Sequence, residues 1–190
     1  MFLPRESFTT LETRRGTVMV PMNRVVTLDY DPTNPGRQAI GTAFLSGCIA
    51  VAAVFRAPDN PSGVTLLLSH FPPTGSQSQA SQNIRKEVDN VRATGGALES
   101  VRIMAPGDWA KDVTTGYMVE TPYATIIPDV NGYIAELGAS EGLDSKIVGY
   151  IPEDPLMAAL SKNKGTMLAE LYFTADGQVT PRILVEGYPR

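Results

Sequence analysis

One thiol and one imidazole stand out as the reactive pair of this chain: Cys48 is its only cysteine and His70 its only histidine. A thiol attacks carbonyl carbon as the thiolate, which at an ordinary pKa makes up only a few per cent of the thiol at neutral pH. A neighbouring imidazolium, or backbone amides aimed at the sulfur, raises that fraction. Cys48 closes the corner Leu45-Ser46-Gly47-Cys48. Glycine there lets the backbone adopt a conformation that gathers successive N–H groups into a concavity. Such amides, those of Ser46, Gly47 and Cys48, could also hold the oxyanion of a tetrahedral intermediate. A third group must orient the imidazole, and Thr42, six residues before the cysteine, is the candidate.

Two apolar runs must bring this pair together. Ile49–Phe55 and Val64–Ser69 are apolar without alternation, the pattern of strands buried on both faces. Cys48 precedes the first run and His70 follows the second. The seven-residue turn cluster Ala57–Gly63 between them suits antiparallel pairing, which puts both residues at one edge of the pair. Pro72 and Pro73 then stop the ladder.

The rest of the chain reads as strands with a few helices. Gly16–Pro21 and Arg24–Tyr30 are expected to form a hairpin, with a turn cluster over Asp31–Gly36 and a strand over Arg37–Phe44. Gly75–Ala80 reads as a loop. A helix is expected from Ser81 to Thr94, on Ile84, Val88 and Val91, ended by Gly95 and Gly96. Leu98–Ala105 reads as a strand, while Asp108–Gly116 has no clear period. A second helix spans Ile126–Leu137, with Pro128 in its first turn and Gly138 after it. Lys146–Ile151 reads as a strand, and Pro155–Leu160 as a short helix. Thr166–Thr174 and Gln178–Val185 flank Ala-Asp-Gly as a hairpin. Seven to nine strands and two or three helices without βα alternation define an α+β fold of mixed sheets packed together, helices on one side.

Composition narrows the function classes. At 190 residues the chain suits one domain, taken as 1–190. A net charge of −4 argues against nucleic acid or an anionic membrane as the main partner. One cysteine excludes an internal disulfide, and with a single histidine a four-ligand structural zinc site is not expected. No stretch is long and apolar enough for a transmembrane helix. Arg5 and Glu6 stand where a secretory signal has its apolar core, so no signal peptide is expected. The carboxylate pairs Asp29/Asp31 and Glu153/Asp154 read as solvated turn residues, as do Asp108 and Asp112.

Thr42-Ala43-Phe44-Leu45-Ser46-Gly47-Cys48, followed by His70-Phe71-Pro72-Pro73, resembles the active-site pattern of a glutamine deamidase superfamily. Its members include the chemoreceptor deamidase CheD, the cytotoxic necrotizing factors and Burkholderia lethal factor. The resemblance covers Gly41–Pro73, about a sixth of the chain. The order Ser-Gly-Cys is that of the toxins; CheD has Gly-Ser-Cys. The resemblance implies a CheD-like fold of two packed mixed β-sheets flanked by helices. It implies Cys48 as nucleophile, His70 as general acid/base and Thr42 as the accessory residue, with oxyanion contacts near Ser46 and Gly47.

The activity so implied is hydrolysis of a glutamine side-chain amide in a target protein, giving glutamate and ammonia, with no cofactor or metal. The toxin-like order points to a virulence effector, a monomer made in the producer's cytoplasm and delivered to the host cytosol. A host translation or signalling protein would then be its target. The loops Ala57–Gly63, Phe71–Gln82 and Pro106–Thr115, with Trp109, are the expected determinants of target choice. A CheD-like chemoreceptor deamidase, a cysteine peptidase or amidase, and a non-catalytic interaction module with a buried Cys48 are the alternatives.

Overall fold

The architecture is set by a central strand that is apolar on both faces. The structure, a computed structural model, describes residues 17–34, 38–43, 45, 47–60, 62–73, 77–111, 113–139, 144–150, 165–174 and 178–186. Strand β4 (Ile49–Arg56) turns its odd-numbered residues, Ile49, Val51, Ala53 and Phe55, toward the helices. Its even-numbered residues, Ala50, Ala52 and Val54, face a second sheet. Period-2 alternation sends successive side chains to opposite faces, so a strand between two apolar layers must be apolar throughout. Three layers result, and the α+β fold of two packed mixed sheets is the one observed.

The larger sheet has the order β2-β5-β4-β6-β7, with β8 also paired to β6. Its strands are β2 (Arg24–Asp29), β5 (Val64–Phe71), β6 (Ala97–Lys111), β7 (Met118–Pro122) and β8 (Asp144–Tyr150) beside β4. All its pairings are antiparallel except β6 with β8. The smaller sheet has the order β1-β3-β9-β10, from β1 (Thr17–Met19), β3 (Gln38–Thr42), β9 (Thr166–Phe173) and β10 (Val179–Glu186). Here β1 runs parallel to β3, and the other pairs are antiparallel. Ile40, Met167, Ala169 and Leu171 of this sheet pack on the even-numbered face of β4 and on Leu66 and Leu68 of β5.

Both helices cover the opposite face. Helix α1 (Gln77–Ala93) buries Ala80, Ile84, Val88 and Val91, and α2 (Ile127–Leu137) buries Val130, Tyr133 and Leu137. Gly138 ends α2 at φ +64°, the left-handed conformation glycine adopts without a Cβ penalty. Arg92 of α1 donates from Nη2 to the Leu137 carbonyl at 2.9 Å, so one helix satisfies the other's terminus.

On the outer face of the smaller sheet Glu170 is fully buried. Its Oε1 accepts from Arg182 Nη2 at 2.6 Å, from Arg182 Nε at 2.8 Å and from Tyr172 Oη at 2.5 Å. These direct donors replace the solvent that burial removes from the carboxylate.

Several expectations are corrected. The two N-terminal strands do not form a hairpin: β1 joins the smaller sheet and β2 the larger, pairing with β3 and β5 respectively. The turn signal at Pro21–Asn23 is real, but it redirects the chain from one layer to the next. Helix α1 begins at Gln77, inside the stretch read as a loop, because polar serine and glutamine can form an exposed first turn. The unassigned stretch Asp108–Gly116 divides between β6 and a turn, and β7 was not foreseen. The short helix expected at Pro155–Leu160 lies outside the described residues.

Candidate functional site

The site lies between the two sheets, at the edge where β4 begins and β5 ends. Strands β4 and β5 pair with Ala50 opposite His70. Directly opposed residues share a face, and so do residues two apart on one strand. Cys48 is therefore on the same face as His70, diagonally across the pair, a backbone separation of roughly 7–8 Å. That face is the buried one between the sheets. Thr42 ends β3 in the facing sheet and reaches across: its Oγ1 lies 2.8 Å from His70 Nδ1. Thr42 and His70 are thus brought into contact from two sheets, and Cys48 lies on the same buried face without a hydrogen bond to either.

The proton positions follow from the acceptors. Thr42 Oγ1 also donates to the Val20 carbonyl at 3.0 Å. A carbonyl can only accept, so the one hydroxyl hydrogen goes to Val20. The imidazole must then donate from Nδ1 to Thr42 Oγ1, which leaves the lone pair on Nε2. Nε2 is buried and has no hydrogen-bond partner among the described residues. Orphaned buried polar atoms are rare, and this one shares the inter-sheet face with Cys48, whose thiol contacts Met22 Sδ rather than the imidazole.

The cysteine corner is a β-turn: the Cys48 amide donates to the Leu45 carbonyl at 2.7 Å. Gly47, third in the turn, has φ +107°. A positive φ there is the requirement of a type II turn, met most readily by glycine. Tyr150 closes the corner from the far side of the sheet. It is fully buried at the end of β8, and its Oη accepts from the Gly47 amide at 2.8 Å. It also faces the carbonyls of Cys48, at 2.6 Å, and Leu45.

These contacts correct two expectations. The Gly47 and Cys48 amides, expected as oxyanion donors, are both engaged within the fold; Ser46 lies outside the described residues. Nor do amides or an imidazolium stabilise a resting thiolate. Burial pushes the Cys48 thiol pKa up. Burial pulls His70 below the usual histidine value, with the Val20 carbonyl opposing that shift. Both shifts favour a neutral thiol and a neutral imidazole at rest.

Residues 21–23 roof the thiol. Asn23, at φ +63°, donates its amide to the His70 carbonyl at 2.7 Å. Beside it, Met22 puts Sδ 3.9 Å from Cys48 Sγ, while Cys48 itself is only 9% exposed. Val20, Met22 and Tyr150 are the participants that sequence reasoning missed. A tyrosine hydroxyl needs a partner when it is buried, but the sequence of β8 marks neither the burial nor the partner. Nothing in the sequence marks Val20 or Met22.

Of the loops expected to choose a target, Ala57–Gly63 joins the opposite ends of β4 and β5 and is distant from the site. Phe71 and the two prolines after it follow His70 directly. The ribbon of β6 and β7 extends beyond the edge where Cys48 sits: Met104 is opposite Ala50, and β6 continues to Lys111. Trp109 lies on that ribbon, paired with Glu120. Among the described residues, no three or more His, Cys, Asp and Glu side chains are grouped to hold a metal ion. No described helix is long and apolar enough to cross a membrane.

In comparisons with known proteins, the chain matches no family model, no curated protein and no solved structure. Fold and site define a two-sheet α+β protein with a buried Cys-His-Thr cluster.

Proposed function

We propose that the chain hydrolyses the side-chain amide of a glutamine in a protein substrate, as a cysteine-dependent deamidase. The observation that carries this reading is the unpartnered Nε2 of His70, its tautomer fixed by Thr42, on the same buried face as the only thiol. His70 Nε2 takes the Cys48 proton as Sγ attacks the amide carbon. The imidazolium returns that proton to the nitrogen as the C–N bond breaks and ammonia leaves. Water then attacks the thioester and gives a proton to Nε2. The C–S bond breaks, the thiol is restored and glutamate is released. These steps require no cofactor.

The Ser-Gly-Cys order supports an effector acting on a host protein over a chemoreceptor deamidase. The test is mass spectrometry of native lysate proteins after incubation with the chain, reading glutamine converted to glutamate. Wild type is expected to convert particular glutamines, and Cys48→Ser and His70→Asn to convert none. Conversion by the Cys48→Ser protein would end the assignment.

A second reading has its own observation. Cys48 is buried under Met22 with its thiol pKa raised, as a structural cysteine would be in a non-catalytic interaction module. Absence of conversion by the folded wild type would favour it.

A further inference from the structure

We propose that Tyr150 is a positioning residue for the Cys48 nucleophile, its hydroxyl acting as the clamp that holds the cysteine corner closed. The inference rests on the reading of Cys48 as nucleophile and adds a residue 102 positions away in sequence. Within the corner the Cys48 amide donates to the Leu45 carbonyl. That bond leaves the Gly47 amide and the Cys48 carbonyl needing partners, and buried backbone groups must find them.

One phenol oxygen serves both needs. Tyr150 Oη accepts from the Gly47 amide at 2.8 Å and reaches the Cys48 carbonyl at 2.6 Å, with the Leu45 carbonyl also in its reach. The parallel pairing of β8 with β6, which sets Tyr150 opposite Pro106, carries the phenol to the site edge. The clamp keeps the corner against the inter-sheet face, where Cys48 shares its side of the pair with His70. It also accounts for the raised thiol pKa, because a corner held in the core keeps Sγ away from solvent. Tyr150 touches backbone on both sides of Gly47, so it acts on Cys48 through the turn.

The experiment compares Tyr150→Phe with wild type in the folded protein, following Cys48 alkylation by iodoacetamide across pH and ammonia release from a converted protein glutamine. Without the hydroxyl the corner opens toward water. The alkylation midpoint is expected to fall by about one pH unit, giving about tenfold more thiolate at neutral pH. Ammonia release is expected to drop roughly 10- to 100-fold in kcat with little change in KM, the size of effect a misplaced reacting group produces. Placing 4-aminophenylalanine at position 150 restores a donor to the carbonyls and should recover most of both readouts. Val101→Ala, a cavity in the helix-side core, should lower stability and leave the alkylation midpoint unmoved.

An unchanged midpoint in Tyr150→Phe overturns the inference, as does a shift that Val101→Ala reproduces or 4-aminophenylalanine fails to reverse. Should Tyr150→Phe not fold, exchange of the Gly47 amide in wild type decides: protection like that of the β4 amides supports the clamp, and free exchange refutes it. A chain that releases no ammonia from any glutamine ends the deamidase reading, while the alkylation arm still reports what Tyr150 does to Cys48.

Discussion

Thr42 and His70 belong to different β-sheets and meet at 2.8 Å, Oγ1 to Nδ1, in the interior between them. The hydroxyl is committed to the Val20 carbonyl, so the contact fixes which imidazole nitrogen carries hydrogen. Thr42→Val keeps the shape and removes the oxygen. It removes the Oγ1 acceptor of the imidazole N–H and the hydroxyl that donates to the Val20 carbonyl, leaving the imidazole held by that carbonyl alone, at a cost of about 1–3 kcal/mol. Deamidation should fall at least tenfold, part of the roughly 10²–10⁴-fold that a positioned acid–base group supplies. Thr42→Ser, which keeps the oxygen, should retain most activity. Ammonia release alongside a urea melt checks both, and equal activity in Thr42→Val and wild type would remove Thr42 from the site.

Cys48 should alkylate slowly. Its thiol pKa is raised by burial, so at neutral pH the thiolate is scarcer than in a free cysteine. Iodoacetamide should modify the folded protein more slowly than a model thiol, with a midpoint above roughly 8.5, the ordinary thiol value. A midpoint below that value would show a preformed thiolate and refute the neutral pair.

His70 should make stability sensitive to mild acid. Its folded pKa lies below that of the unfolded chain, mainly through burial, so as pH falls the unfolded chain binds the proton first. The contribution is fully present above the unfolded value of about 6.5 and is lost as pH drops through the lower folded value. His70→Asn should flatten this limb of the urea midpoint between about pH 7 and pH 5. An unchanged slope would show that other groups set it.

Gly47→Ala tests the turn alone. A Cβ built there meets no atom within 4 Å, so the penalty is conformational and comes from φ +107°. A cost of about 1–2 kcal/mol is expected. For a chain of this size that lowers Tm by roughly 2–8 °C. Activity should fall further than stability alone explains, because Cys48 is the next residue. Calorimetry and ammonia release on the same preparation separate the two.

Arg182→Met should be among the more damaging changes distant from the site. It leaves Glu170, fully buried, without its guanidinium; because Arg182 is 37% exposed, the cost should fall short of the about 3–5 kcal/mol of a wholly buried pair. The double variant Glu170→Met, Arg182→Met should recover much of that loss. A thermal melt decides, and a double variant no better than the single would show that the carboxylate was not the liability.

The core strands were legible because their environment leaves a mark on residue type. A strand between two apolar layers must be apolar throughout, and β4 and β5 are. Helix α2 was legible from Pro128, Gly138 and the spacing of its apolar residues. The pairing of β4 with β5 followed from one turn, and with it the shared edge of Cys48 and His70. Thr42 was legible only as a residue at a suggestive distance from the cysteine; its partner on another sheet could not be read from spacing. Tyr150 was not legible at all: only the strand that carries it was expected. The split of β1 and β2 between layers was hidden because a Pro-Met-Asn turn looks alike within a sheet and between sheets. The closed amides of the corner were hidden too, since their acceptors come partly from residue 150.

Strand β3, which carries Thr42, is bordered by β1, only three residues long, and by β9. Its longer border is therefore supplied late in synthesis. A nascent or truncated chain that stops before residue 166 already contains Cys48, His70 and Thr42, but Thr42 is then held only through the short β1 border and Val20. Under the proposed deamidase reading, such a fragment carries every reactive group on a half-built frame, and activity should appear only after the last hairpin has docked.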